Sequence, residues 1–223
     1  MTNTRKPIVG GFAIGILVLS IFFSGCDSDG PPPQPLEMMF PWQIEVRPDG
    51  LSRVFGITLG ETTLGSVQAR FRDDGDIKMF VSSEKASGIE VFFKSVALKG
   101  IHGKIVLGLE PGDEIMADML ARGTRIKPMS SGEQQVTLHP EDLAYLQSVP
   151  ISTITYIPSI NLDKPMIRYR FGEPEKRIPE QEQVGVVHWL YPHLGLDVVL
   201  NEDGKEVLQY VAPRQSQRLL EGL

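Results

Sequence analysis

Between Gln43 and Arg47 polar and apolar side chains alternate, Pro48-Asp49-Gly50 turns the chain, and Leu51 to Ile57 resumes the extended pattern, so a hairpin is predicted. Thr62 or Thr63 offers an N-cap to a helix on which Leu64, Val67 and Phe71 fall at i, i+3 and i+7, and Asp73-Asp74-Gly75 ends it. Three runs rich in Val, Ile and Phe follow at Ile77 to Ser82, Gly88 to Leu98 and Lys104 to Leu109. Short turns separate them, which is the pattern of an antiparallel meander. From Glu114 to Arg122 the apolar positions Ile115, Met116, Met119 and Leu120 form one helical stripe, with Gly123 as its C-cap.

The polar stretch that begins at Thr124 carries Gly, Pro, Ser and Thr and marks a boundary between two halves. Pro140, with Glu141 and Asp142 behind it, starts a short helix holding Leu143, Tyr145 and Leu146, and Pro150 stops it. A second helix is predicted over Asp163 to Phe171, with Pro165 tolerated in its first turn and Gly172-Glu173-Pro174 closing it. Strands are expected at Val184 to Tyr191, Leu194 to Leu200 and Val207 to Val211, the last two joined through Asp203-Gly204, the clearest hairpin signal in the chain. The fold class is therefore α+β, with antiparallel β-meanders and short helices packed on one face. Thr63-Leu64 with Arg70-Phe71 matches Asn161-Leu162 with Arg168-Tyr169, and Gly88-Ile89 before Phe92 matches Gly185-Val186 before Trp189, an offset of 97 to 98 residues. These echoes leave open that the halves are two related αβββ modules.

A different pattern governs the start. Arg5 and Lys6 precede an uninterrupted run of apolar or small residues from Ile8 to Phe23, an n-region and an h-region. The run closes on Phe23-Ser24-Gly25-Cys26, and Cys26 is the only cysteine of the 223 residues. This resembles the lipobox of bacterial lipoproteins, with Phe23 standing where Leu is most usual. The resemblance implies removal of residues 1–25, a diacylglycerol on the Cys26 sulfur and often a further acyl chain on the new amino terminus. The 16 apolar residues fall short of the roughly 20 that a spanning helix needs. Two or three acyl chains make a firm anchor, since each buried CH₂ contributes about 0.8 kcal/mol. Asp27 occupies the place that, in enteric lipoproteins, disfavours export to the outer membrane, so the expected location is a membrane facing the periplasm, the inner one slightly favoured.

Residues 26–37 form the lipidated cysteine and a tether, with four prolines among the eleven residues from Asp27 to Glu37. The globular part is expected to comprise a module at 38–123, a linker at 124–138 and a second module at 139–223. The second half also looks like the small modules of the SmpA/OmlA lipoprotein family, which have the β-lactamase-inhibitor-protein type of fold. The residues carrying that resemblance are Phe171-Gly172-Glu173-Pro174, Trp189-Leu190-Tyr191 and Asn201 to Val207. It implies two helices followed by a three-stranded antiparallel sheet, in an envelope adaptor that binds other proteins.

Charge narrows the partners. A net charge of -6 becomes -8 once the leader takes Arg5 and Lys6 away, which argues against nucleic acid, whose phosphates need a concentrated basic surface. Acylation of Cys26 leaves no thiol for a disulfide or for catalysis. The four histidines, His102, His139, His188 and His193, lack metal-ligand spacing. Only a turn at Pro192 bringing His188 and His193 together with Asp197 would make a metal site, and half-exposed structural histidines are the simpler expectation. Asp73, Asp74 and Asp76 around Gly75 read as a solvated turn, because the twelfth-position Glu of an EF-hand is missing. Arg168 and Arg170 fall on different helix faces and read as a solvent-facing pair. No nucleophile elbow, phosphate loop or dinucleotide fingerprint occurs. The expectation is a noncatalytic binding or assembly component of the envelope with no cofactor, no metal and another envelope protein as partner. The alternatives are a binder of lipid or a small apolar ligand and, behind it, an envelope hydrolase. Of the aromatics Phe92, Phe93, Trp189 and Tyr191, most are expected in the core, and an exposed one would mark a binding surface.

Overall fold

The computed structural model describes residues 40–82, 85–98, 100–129, 132–181 and 183–220. Cys26, Asp27 and the tether therefore lie outside the described residues. The first hairpin forms as the alternation requires: β1 (Glu45–Val46) pairs with β2 (Ser52–Val54), and β3 (Ile57–Thr58) adds a third short strand. Helix α1 (Leu64–Phe71) begins at Thr63 and buries Leu64 and Val67. It ends at Arg72, whose left-handed φ of 53° turns the chain toward the Asp73-Asp74-Gly75 bend. In that bend the Gly75 amide donates to Asp73 Oδ1 at 2.9 Å, so the aspartates build a turn.

The meander follows as β4 (Asp76–Ser82), β5 (Lys85–Leu98) and β6 (Ile101–Leu109), and then α2 (Asp113–Arg122) with Met119 buried. Residues 124–138, expected as a linker, instead carry β7 (Arg125–Pro128) and β8 (Gln134–Thr137). The polar side chains that suggested a linker belong to an edge ribbon, of which only Val136 is buried. Beyond it come α3 (Pro140–Leu146), β9 (Ile151–Pro158) and α4 (Lys164–Phe171). Both helices start on side-chain caps: His139 Nδ1 accepts from the Glu141 amide at 3.3 Å and Asp163 Oδ1 from the Met166 amide at 2.7 Å. The chain closes through β10 (Lys176–Pro179), β11 (Val186–Tyr191), β12 (Leu196–Asn201) and β13 (Val207–Tyr210), then a 3-10 segment at Pro213–Leu220.

Ten of these strands form one antiparallel sheet in the order β10-β11-β12-β13-β9-β6-β5-β4-β8-β7. Strand β9 joins the halves, paired to β6 on one side and β13 on the other. Residues 35–223 accordingly make a single compact unit holding the whole core. Directly paired residues share a face. The register Phe93–Ile105–Tyr156–Leu208–Val198–Trp189 thus defines an inner face that every one of these side chains buries. Phe71 of α1 meets Phe93 edge-on at 5.2 Å and Phe171 of α4 meets Tyr191 at 5.8 Å, so both helices lie on that face. Phe55, in the turn of the small sheet, packs there against Tyr156 and Tyr210. The fold class is α+β with β-meanders, as the alternating pattern implied.

The two meanders are not copies. Strands β6 and β13 both run antiparallel to β9, so β4 and β11 point the same way. With α1 and α4 on one face, β4-β5-β6 steps inward from one side and β11-β12-β13 from the other. These are mirror-image topologies, and no rotation superposes one on the other. Phe92 and Trp189, matched by the repeat, lie on opposite faces: Phe92 pairs with Val106 on the outer face and is half-buried. The order of elements also differs from that implied by the resemblance, since β9 separates the two helices of the second half.

Candidate functional site

The outer face is open over its centre and covered at the β10–β12 end, where the C-terminal segment lays Leu219 on Leu190 and Val211, with Ile178 beside them. Under this cover the sheet buries two titratable side chains, His188 and Asp197, 6% and 1% exposed. They lie on neighbouring strands, His188 opposite Val199 and Asp197 opposite Leu190, a diagonal that brings the ring to the carboxylate. His188 Nδ1 is 2.6 Å from Asp197 Oδ2, and Nε2 is 3.2 Å from Oε2 of Glu180, which follows β10 and remains partly exposed. Burial pushes the Asp197 carboxyl up to about 6, against the opposing pull of the His188 hydrogen bond and charge. Its second oxygen, Oδ1, is buried with no hydrogen-bond partner among the described residues.

The three side chains form a row of acid, imidazole and acid. It is not built as a nucleophile-activating triad, because both ring nitrogens already face carboxylates and neither is left to take a proton from a hydroxyl. His193 does not join it. The 3-10 turn at Pro192–Leu194 carries His193 outward, where Nδ1 sits 2.6 Å from Glu175 Oε1. Among the described residues no group of three His, Cys, Asp or Glu side chains could hold a metal ion. The sequence expectation of half-exposed histidines holds for His193 and fails for His188, which is buried between the carboxylates of Asp197 and Glu180.

Arg168 and Arg170 are both exposed, as expected, and their guanidinium groups also lie on rings. Arg168 stands over Trp189 at 5.3 Å and Arg177 at 5.1 Å, with Glu173 within ion-pair distance of both. Arg170 lies 4.1 Å over the ring of Trp42. Nothing in the spacing of Arg168 and Arg170 could have found this, because Trp42 comes from a segment more than a hundred residues earlier.

A cleft of about 220 Å³ opens beside α4, lined by Asp163, Lys164, Glu202 and Glu206 together with Leu162 and Leu200. A second, of about 250 Å³, lies on β4 and β5 between Phe80, Glu90 and Glu133, where burial raises the Glu90 carboxyl and the Glu133 charge raises it further. Both fall below the roughly 300–1,000 Å³ of typical small-molecule sites and are walled by charge. Among the described residues no helix is long and apolar enough to cross a membrane. No family model, no curated protein and no solved structure matches this chain. The class is thus set by geometry: a ten-stranded antiparallel sheet with helices on one face and a buried acid–histidine pair on the other.

Proposed function

We propose that this protein is a lipoprotein anchored through Cys26, facing the periplasm, and that its globular part acts without catalysis as a binding or assembly component of the envelope. The observation that supports this reading most directly is the closed state of its best titratable cluster. His188 spends both nitrogens on carboxylates, so the one buried imidazole stiffens the sheet. Exposed chemistry is concentrated elsewhere, on α4 and on β7, an edge strand of the sheet among the described residues, where Ile126 stands exposed between Arg125 and Lys127. An unpaired strand edge is a docking surface for an extended peptide, and its charges discourage pairing with copies of itself.

Two measurements test the reading. Inhibition of lipoprotein signal peptidase should accumulate a larger precursor in the membrane, and Cys26→Ala should abolish acylation; a Cys26→Ala chain processed and located like the parent refutes the anchor. A photocrosslinking residue at Ile126 in living cells should give one discrete protein adduct that a residue at Glu141, on α3, does not give. Identical adduct patterns from both positions would refute docking at this edge.

A further inference from the structure

Helix α4 buries one side chain outright, Ile167, and half-buries Phe171. Its outward side holds Met166 and, one turn on, Tyr169, which is 82% exposed. The helix also carries Lys164, Arg168 and Arg170 and no acid, in a chain of net charge -6. The first described residues of the domain stack beside it: the Phe40 and Trp42 rings are 5.0 Å apart and within 5° of parallel. The Arg170 guanidinium lies 4.1 Å from the Trp42 centroid and 5.4 Å from that of Tyr169. Phe40, Trp42, Arg170 and Tyr169 therefore make a continuous ladder of rings with a cation in its middle. Arg168 is engaged by Trp189 and Glu173. Lys164 and Arg170, by contrast, have no carboxylate at ion-pair distance among the described residues.

Aromatic rings with polar tips and long cationic side chains are the residues that settle at the headgroup level of a bilayer. Each cation near an anionic surface contributes about fivefold to binding. Cys26 and Phe40 are 14 positions apart in the sequence. At the ~3.1 Å per residue of a proline-rich extended chain, 14 positions span roughly 43 Å, so the ladder lies within tether range of the membrane. Charge sign, ring chemistry and the point where the chain enters the domain agree on one occupant.

We propose that the α4–Trp42 face docks onto the anionic headgroups of the membrane that holds the acyl chains, so that the domain lies on the bilayer in one orientation. This rests on the lipoprotein reading for its setting, but the face can be tested without the anchor. The chain from Pro35 to Leu223, which contains the complete core, is mixed with vesicles containing phosphatidylglycerol or with pure phosphatidylcholine vesicles. Binding should require the anionic lipid, weaken with salt, and shift the emission of Trp42 to the blue. Lys164→Glu with Arg170→Glu should lower it at least tenfold, and Tyr169→Ala a few-fold, with the thermal unfolding midpoint of Tyr169→Ala unchanged. Equal affinity for both vesicle types, absence of binding, or parent-like binding by the double variant would overturn the proposal. None of these outcomes bears on acylation, which the Cys26→Ala processing experiment decides separately.

Discussion

Asp197 sits under the C-terminal segment with one oxygen held by His188 and the other without a partner among the described residues, so its ionised form is the costly one. Its carboxyl moves from 3.8 to about 6 on folding, chiefly through burial. The folded chain therefore binds this proton more tightly than the unfolded chain does. The resulting stability is fully present below about pH 4 and is lost as pH rises through about 6. Asp197→Asn keeps the shape and an acceptor for His188 while removing the titration. Denaturant unfolding should show the variant gaining on the parent between about pH 4 and pH 6.5, by up to about 3 kcal/mol. A gap independent of pH would show that Asp197 ionises alike in both states. His188→Ala is a different change, since it strands a buried carboxylate and should cost about 1–3 kcal/mol or more and lower the amount of protein in cells. Alanine at His193, Arg168 or Arg170 removes exposed partners and should leave that amount unchanged.

Along strand β5 the side chains at 89, 91 and 93 point inward and those at 90, 92 and 94 outward, so adjacent phenylalanines have different roles. Phe93 is fully buried against Phe71, and Phe93→Ala should destabilise by about 3–5 kcal/mol. Phe92 is half-buried on the open face, and Phe92→Ala should cost well under half as much; equal losses would contradict the face assignment. The turn after β11 is as demanding. Gly195 has a φ of +65°, and a Cβ there would lie 2.1 Å from the Val211 carbonyl oxygen, while the Val211 amide donates to the Gly195 carbonyl at 2.9 Å. Gly195→Ala should lower the unfolding midpoint more than Gly100→Ala, whose φ is also positive but whose Cβ would meet nothing within 4 Å. Comparing the two midpoints separates backbone strain from the clash.

A sheet continuous through β9 makes the whole unit interdependent. Strand β6 loses its neighbour β9 if the chain is cut after Gly123, and β9 loses β6 if it starts at His139. Calorimetry of residues 35–223 should therefore show one cooperative transition, and neither 38–123 nor 139–223 should fold alone. Two transitions, or a stable isolated half, would restore the picture of separate modules.

What the sequence determined by itself is local. The alternation of Gln43 to Arg47, the helix stripe at Leu64, Val67 and Phe71, and the Asp203-Gly204 hairpin are written in side chains a few positions apart, and each forms where expected. The apolar run from Ile8 to Phe23 that ends at Cys26 is likewise a linear pattern. What the tertiary structure alone decided depends on neighbours distant in the chain. Strand β9 escapes the apolar pattern because Ser152, Thr153 and Thr155 break its run; Thr153 and Thr155 share the outer face with Ile157, and only pairing with β6 and β13 makes the segment the centre of the sheet. The ribbon of β7 and β8 was hidden for the same reason at the edge. The mirror relation of the meanders is set by strand order and helix side, which residue spacing does not encode. The burial of His188 and Asp197, and the seat of Arg170 on Trp42, arise because packing brings together surfaces that no period in the sequence relates.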